Sequence, residues 1–192
     1  DAPFWSDHVC YSTVDGRQLH DLLPLPFSPE VVEHTAKRIR EAQSRVGRRM
    51  LLENATFYSH MPGSTMEEVP FLRAVLEEGD CGMLLDVNNV YVNSLNHGGD
   101  PFAVIDQMPL ERVGCLHLAG HTRMERAVID THIGPICDEV WALYRHTLKR
   151  AGRLIPTMIE WDQDFPPFDQ VVDEVDRARS HAQAALGAEV AR

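Results

Sequence analysis

Several short apolar runs of this sequence end in a side chain that can bind a metal ion. His132 lies two residues beyond one of these side chains, and His8 belongs to an early SDHVCY segment. A buried parallel strand presents its last residue at the carboxyl end of the sheet, where barrel enzymes place their active sites. The pattern therefore predicts a polynuclear metal centre. The runs MLL, GMLL, VGCL, AVI and TMI end at Glu53, Asp86, His117, Asp130 and Glu160.

Each of these carboxylates also has a simpler explanation, as a helix cap or as the partner of an arginine. An unpaired charge at the end of an apolar run is costly, however, and the repetition of the pattern favours a bound cation. Mixed carboxylate and imidazole ligands without thiolates favour iron, manganese, zinc or cobalt. Neighbouring ions can share carboxylates and activate a small ligand between them.

Two further histidines and the cysteines carry weaker signals. His97 and His121 each follow a predicted strand within a loop, where they could contact a substrate, orient a ligand or do neither. The cysteines are scattered and form no CxxC pair, so we expect buried thiols rather than disulfides or a zinc cluster. They are Cys10, Cys81, Cys115 and Cys137.

The elements that must position these residues alternate between strand and helix. We expect an irregular strand at 127–130, because too few residues precede it for a crossover helix. We expect residues 92–101 to form a loop, and Ser28 and either Ser64 or Thr65 to cap the first two helices. The other predicted strands lie near 9–12, 49–53, 82–87, 113–118 and 156–160, and the predicted helices cover 30–46, a segment ending at 78, 101–107, 138–152 and 168–185.

This alternation predicts a parallel α/β fold with the helices outside. Candidate ligands at the ends of many strands favour a TIM (β/α)8-type barrel over an open sheet. Such a barrel has eight strands and typically about 250 residues, whereas six strand-like segments are visible among these 192 residues. We therefore expect the first two β/α units to be missing and to lie upstream. Residues 1–186 are assigned to this partial metal-binding barrel, and residues 187–192 to a frayed C-terminal tail.

Charge and hydropathy limit the classes of partner. The net charge is −11, from 18 basic and 29 acidic residues, which argues against nucleic-acid binding. No run approaches the roughly 20 apolar residues of a transmembrane helix, and the N-terminal segment lacks the features of a signal peptide. The sequence predicts a soluble cytoplasmic protein without a nucleic-acid or membrane partner.

Longer strings of the sequence resemble a known family. The strings SDHVCY, RRMLLENATFY, LLDVNNVYVN, HLAGH, VIDTHIGP and IEWD resemble the multinuclear non-haem iron-dependent oxidative enzymes, from Trp5 to about Ala185. The resemblance implies a TIM barrel related in fold to the xylose-isomerase-like enzymes. It implies two or three iron ions and dioxygen as co-substrate. The implied activity modifies cysteine residues of a ribosomally synthesised precursor peptide, often with a separate protein that recognises the peptide leader.

The resemblance also implies which residues bind iron. Asn89 occupies a position that supplies a ligand in some members. Members begin with two further strand–helix units, one of which provides another histidine in an LHG-type segment that does not occur in this sequence. The implied ligands are His8, Glu53, Asp86, His117, Asp130, His132 and Glu160.

Two other classes of function remain compatible with these residues. A divalent-metal isomerase or hydrolase on the related barrel would use similar ligands but would need no oxygen. A non-catalytic, truncated binding module would bind its partner equally well after Asp86 or His117 is replaced by alanine. Metal content and oxygen dependence distinguish the isomerase or hydrolase from the iron-dependent oxidative enzyme, and the alanine substitutions identify the binding module.

Overall fold

The structure is a computed structural model that describes residues 2–187. The chain divides into two compact units, and the boundary between them lies between Leu84 and Leu85. The tail predicted at 187–192 lies outside the described residues from Ala188 onward.

The first unit is built on parallel strands. Strand β1 (Trp5–His8) pairs with β4 (Met50–Glu53), and β4 pairs with β5 (Gly82–Asp86), both in parallel. In the register of the first pair His8 lies opposite Glu53, so both strands end at the same level. Helices α1 and α2 pack against each other. The elements are β1 Trp5–His8, β2 Cys10–Val14, β3 Arg17–Pro24, α1 Pro29–Val46, β4 Met50–Glu53, α2 Glu68–Gly79 and β5 Gly82–Asp86, whose last two residues belong to the second unit.

Local sequence signals explain helix α1. The Ser28 hydroxyl accepts a hydrogen bond from the Val31 N–H at 3.4 Å, and Pro29 occupies the first turn, where a missing N–H costs nothing. Gly47 ends the helix in a left-handed conformation with φ of 71°. The prediction of this helix and of its N-cap is confirmed.

The predicted cap of helix α2 is wrong. This helix begins at Glu68, and its N-cap residue Glu67 makes no side-chain cap hydrogen bond. The Ser64 hydroxyl instead accepts from the Phe27 N–H at 3.1 Å and donates to the Met61 carbonyl at 2.8 Å. A hydroxyl that already stabilises the loop is not available to the helix.

The N-terminal strands also differ from the prediction. The parallel strand is β1 at Trp5–His8, whereas residues 10–12 of the predicted strand belong to β2, which forms an antiparallel hairpin with β3. Asp15 and Gly16 form its turn with φ of 50° and 74°. Positive φ at both turn residues matches the right-handed twist of a hairpin, and Asp-Gly is the dipeptide that favours it. The Asp-Gly signal was present in the sequence, but the prediction of a single strand near 9–12 did not use it.

The second unit contains a further parallel pair. Strands β6 (Val113–Ala119) and β9 (Thr157–Glu160) pair in parallel, with Ala119 opposite Glu160. Helix α3 packs against β6, α4 and α5, and α6 packs against α5 and β9. The elements are α3 Val87–His97, α4 Pro101–Gln107, a 3-10 turn Leu110–Arg112, β6 Val113–Ala119, β7 Thr122–Arg123, β8 Val128–Ile129, α5 Asp138–Ala151, β9 Thr157–Glu160 and α6 Phe168–Leu186.

This unit contains two segments for which the sequence predicts irregular structure. The irregular strand expected at 127–130 is the two-residue strand β8, which pairs with β7 in an antiparallel ladder. The loop expected at 92–101 is wrong, because helix α3 continues to His97. Burial of Val87 through Ser94 outweighs the weak helix propensity of the asparagines in this segment. Strand β5 thus leads directly into a helix.

Among the described residues, no helix combines the length and the apolar character that a bilayer span requires.

Candidate metal centre

Three side chains of the second unit form a compact group of metal-ligating atoms. Asp86, His117 and Glu160 each offer one such atom, and these atoms lie within 4.8 Å of one another. Asp86 and His117 are buried, and the Glu160 side chain is 24% exposed. Opposite ligands of an octahedral ion with bonds of about 2.1 Å lie about 4.2 Å apart, so the spacing suits a single ion after small adjustments.

Strand ends and a helix N-terminus hold this group in place. Asp86 is the last residue of β5 and the N-cap of α3, and its Oδ1 accepts from the Asn89 N–H at 2.8 Å. Glu160 is the last residue of β9. The His117 Nδ1 atom on β6 lies 3.1 Å from Glu160 Oε2. The cap uses one oxygen of Asp86 and leaves the other directed toward the group.

His132 lies among four carboxylates. Its Nε2 atom is 3.0 Å from Asp130 Oδ1 and 3.7 Å from Asp86 Oδ2. Its Nδ1 atom is 3.2 Å from Glu160 Oε2 and 3.3 Å from Asp162 Oδ2. The His132 backbone has a left-handed φ of 49°, and its carbonyl accepts from the Asp162 N–H at 3.0 Å. The contacts on both ring edges connect the loop after β8 to the group.

His132 and Glu160 each favour the charged form of the other. Burial lowers the pKa of His132, but the contacts with Asp130 and Glu160 and the charge of Asp86 outweigh burial and raise that pKa to about 11. Burial raises the pKa of Glu160, but His117 and His132 outweigh it and lower that pKa to about 2. In the metal-free protein a His132 imidazolium thus faces four carboxylates.

The donor set fits a metal ion. One imidazolium does not balance the carboxylates around it, and the charge that remains favours a divalent cation, which would displace the His132 proton. The donors are carboxylate oxygens and imidazole nitrogens without thiolates, the set that suits iron, manganese, zinc or cobalt. All four cysteines are thiols, and burial followed by the charges of Asp7 and Asp21 raises the pKa of Cys10 to about 11.

Sequence reasoning missed two residues that contact the predicted ligands. The fully buried Asn88 donates from Nδ2 to Asp130 Oδ1 at 2.8 Å, and its Oδ1 lies 2.9 Å from the His121 Nδ1 atom. Asp162 contacts His132. Each lies two residues beyond a predicted ligand, so a polar residue at that offset was the available signal.

The other second-unit candidates lie at different distances from the group. Asn89 is buried in the first turn of α3, beside Asp86. His121 is half-buried, with its ring centroid 5.4 Å from that of Tyr91. His97 is exposed at the far end of α3, about 16 Å from Asp86 along an 11-residue helix that rises about 1.5 Å per residue. The structure thus does not bring His97 to the group.

The first unit holds the remaining pair of candidates. The His8 Nε2 atom lies 3.4 Å from Glu53 Oε2. Glu53 is buried, and the His8 side chain is 37% exposed. Because β1 and β4 run in parallel, both side chains lie at carboxyl ends of strands, which the sequence pattern predicts for Glu53 but not for His8.

The chain is similar to a known protein family and to individual members of known sequence. Residues 1–183 match the model of the family described as RiPP precursor modification enzyme MbnB/TglH/ChrH. A UPF0276 protein of Anaeromyxobacter sp. strain Fw109-5 is 46% identical over 187 residues, which cover 97% of this chain and 66% of that protein. A UPF0276 protein of Neisseria meningitidis serogroup B is 44% identical over 194 residues, which cover 100% of this chain and 69% of that protein. The chain spans about two thirds of the length of these relatives.

One solved structure supports the fold. A xylose isomerase domain containing protein from Salmonella typhimurium LT2 is similar with a TM-score of 0.57 and 17% identity, over 84% of this chain and 61% of that chain. At this identity the similarity shows the fold alone. The predicted α/β fold of the TIM-barrel type is confirmed.

Proposed function

The chain belongs to the RiPP precursor modification enzyme family MbnB/TglH/ChrH, and on that premise we propose that it oxidatively modifies cysteine residues of a ribosomally synthesised precursor peptide. The reaction uses dioxygen at a centre of two or three iron ions. The observation that carries the proposal is the group of Asp86, His117 and Glu160, with ligating atoms within 4.8 Å of one another. When bound, iron supplies the dioxygen and electron-transfer chemistry that amino-acid side chains lack.

The proposed ligands of the second unit begin with this group and extend to the residues around it. Asp130 and His132 join it because the His132 ring contacts both Asp130 and Glu160. Asn89 is a further proposed ligand, since it occupies the first turn of the helix that Asp86 caps. For the first unit we propose that His8 and Glu53 also bind iron, because their side chains already meet at the ends of parallel strands.

The residues of the chain prepare the site for a cation. The depressed pKa of Glu160 keeps it a carboxylate at neutral pH. Helix α3 orients Asp86 through the cap hydrogen bond, and Asn88 orients Asp130. Burial raises the pKa values of the Cys10 and Cys137 thiols, so these groups stay protonated and compete poorly for metal. A cysteine of the substrate would be the thiolate that the site receives.

The proposed partners follow from the reaction. The substrate is a precursor peptide that contains cysteine, and a separate leader-recognition protein delivers it. We propose that the protein works in the cytoplasm, where precursor peptides are synthesised and where thiols stay reduced.

The test is a reconstitution without oxygen. The protein is loaded with ferrous iron under anaerobic conditions and mixed with each short cysteine-bearing peptide encoded beside its gene, and oxygen is then admitted. We expect a mass change located at a cysteine of the peptide. The zinc-loaded protein, the anaerobic mixture and a peptide with serine in place of cysteine serve as controls. Unchanged cysteine in every peptide would contradict the proposal.

Other outcomes point to other classes of function. Oxygen-independent turnover of a small molecule by the zinc or manganese form would indicate an isomerase or hydrolase. Peptide binding that is unaffected by His117→Ala and by removal of metal would indicate a binding module.

A further inference from the structure

A hydrogen-bonded chain leads from the carboxylates of the second unit to His121. The Asn88 amide connects its two ends, with Nδ2 at 2.8 Å from Asp130 Oδ1 and Oδ1 at 2.9 Å from His121 Nδ1. Because carboxylate oxygens accept hydrogen bonds, the amide must turn its NH2 group toward Asp130 and its oxygen toward His121. Reversing the amide would place two acceptors against each other in a buried position.

This orientation fixes the tautomer of His121. An amide oxygen can only accept, so the Nδ1 atom of His121 carries the hydrogen. In a neutral ring with Nδ1–H, the Nε2 atom has a free lone pair. Among the described residues, the hydrogen bond to Asn88 is the only one that this ring makes, and the half-buried ring leaves Nε2 open to a ligand.

Burial and the neighbouring Arg123 favour the neutral form of the His121 ring. Burial, followed by the positive charge of Arg123 on β7, lowers the pKa of His121 below its usual 6.5, while Asp130 and Glu139 act in the opposite direction. Tyr91 of α3 lies beside the ring, and its hydroxyl accepts from the Arg123 guanidinium at 2.8 Å. Burial, followed by Cys137 and Glu139, raises the pKa of Tyr91, so this phenol stays protonated. The ring is thus a neutral base beside a cationic and a phenolic donor.

We propose that the Nε2 atom of His121 accepts the proton of the substrate cysteine thiol as that cysteine binds. The inference rests on the proposed function. The S–H bond breaks, its electron pair stays on sulfur, and the proton forms an N–H bond at Nε2, so no electron is transferred. The new imidazolium keeps its Nδ1–H bond to Asn88, and the charges of Asp130 and of the new thiolate stabilise it.

A proton count tests this step without relying on turnover. The zinc-loaded protein, freed of unbound metal, is titrated with L-cysteine as the probe, near pH 7, in buffers of different ionisation enthalpy. A thiol with a pKa of about 8.5 is protonated there. We expect the parent protein to release almost no proton to the buffer for each cysteine bound, and His121→Gln to release about one. His34→Gln, which changes an exposed histidine of α1, serves as the control and should match the parent.

The outcomes separate this inference from the proposed function. Equal proton release by the parent and by His121→Gln overturns the inference alone. If the zinc-loaded parent binds no cysteine at all, the proposed thiolate site fails, and the inference fails with it.

A second measurement reads the tautomer directly. Nitrogen-15 NMR of the zinc-loaded protein should show His121 protonated at Nδ1 and bare at Nε2, with its signals assigned by their loss in His121→Gln. Asn88→Leu should remove this preference. A ring protonated at Nε2 with a bare Nδ1 would overturn the proposal.

Discussion

If His132 binds metal as proposed, its charge depends on whether metal is bound. In the metal-free protein both edges of its ring contact carboxylates, which hold its pKa near 11 instead of near 6.5. A metal ion binds the neutral ring, so the proton must leave when metal enters. The carboxylates that we propose as metal ligands are therefore the groups that hold the proton in the metal-free protein.

We expect the metal affinity of the protein to rise with pH for this reason. Since the pKa of His132 lies far above neutrality, each ion that uses this ring displaces one proton between about pH 6 and pH 8, and the apparent affinity should rise about tenfold per pH unit. Competitive titration of zinc at several pH values measures the slope. His132→Gln should lower it by about one proton. An affinity of the parent that does not change with pH would contradict the prediction.

At the scale of the element, the N-terminus of helix α3 has two roles. Asp86 caps the helix through one carboxylate oxygen and directs the other toward His132. The helix then places Asn88 against Asp130. The positive end of the helix dipole lies where the carboxylate is held. The helix cap and the proposed metal ligand are therefore one side chain, and substitution can separate the two roles.

We expect Asp86→Asn and Asp86→Ala to differ in stability but not in metal binding. Asparagine is as good an N-cap as aspartate, whereas alanine loses the cap hydrogen bond, so the alanine variant should be less stable than the asparagine variant by about 1 kcal/mol. Both lose the anionic ligand, and we expect metal affinity to fall at least about tenfold in each. Urea unfolding of the metal-free variants and zinc titration measure the two effects. Equal unfolding midpoints for the two variants would argue against the capping role.

Gly120 marks a close approach between the end of β6 and the segment after His132. A Cβ atom at this position would lie 2.4 Å from the carbonyl oxygens of Ile133 and Gly134. Both neighbours are backbone atoms, so the segment itself would have to move. The missing side chain of Gly120 thus allows the backbone of Ile133 and Gly134 to lie this close to the end of β6.

We expect Gly120→Ala to lower the free energy of unfolding by about 3 kcal/mol and to weaken metal binding, because the displaced segment begins next to His132. Urea unfolding and zinc titration test both effects. Gly152→Asn is the matched control, since Gly152 has a left-handed φ of 65°, open space around its Cβ position and a helix C-cap role that asparagine tolerates. A Gly120→Ala variant as stable as this control would rule out the steric constraint.

At the scale of the whole molecule, the excess of acidic over basic residues favours the binding of cations. The chain carries 29 acidic against 18 basic residues. Several of the acids meet within the second unit, around His132. A bound divalent ion would reduce the repulsion between these carboxylates in the folded state, while the unfolded chain holds no comparable site. Metal binding should therefore stabilise the fold.

We expect ferrous iron or zinc, at about 100 times its dissociation constant, to stabilise the protein by about 2.7 kcal/mol. For a chain of this size that corresponds to a rise in Tm of about 5 to 11 °C. Calorimetry before and after chelation measures the shift, and magnesium at equal concentration is the control, because it binds such imidazole-containing sites poorly. The prediction fails if Tm is the same with and without metal.

The sequence by itself determined the residue types and the class of fold. An apolar run followed by a carboxylate or an imidazole is a local pattern, and the alternation of strand and helix signals is also local. The ends of β4, β5 and β9 could therefore be predicted as Glu53, Asp86 and Glu160. The same local rules predicted helix α1 from Ser28 and Pro29.

Only the tertiary structure decided which donors meet. His132 contacts Glu160 and Asp162 across a long stretch of sequence, and Asn88 bridges Asp130 and His121, because chain segments that are distant in sequence converge in the folded unit. Burial converted the asparagine-rich segment after Asp86 into helix α3. Propensity and spacing act over a few residues, whereas ligand geometry and burial depend on contacts between remote segments, and no local pattern specifies those contacts.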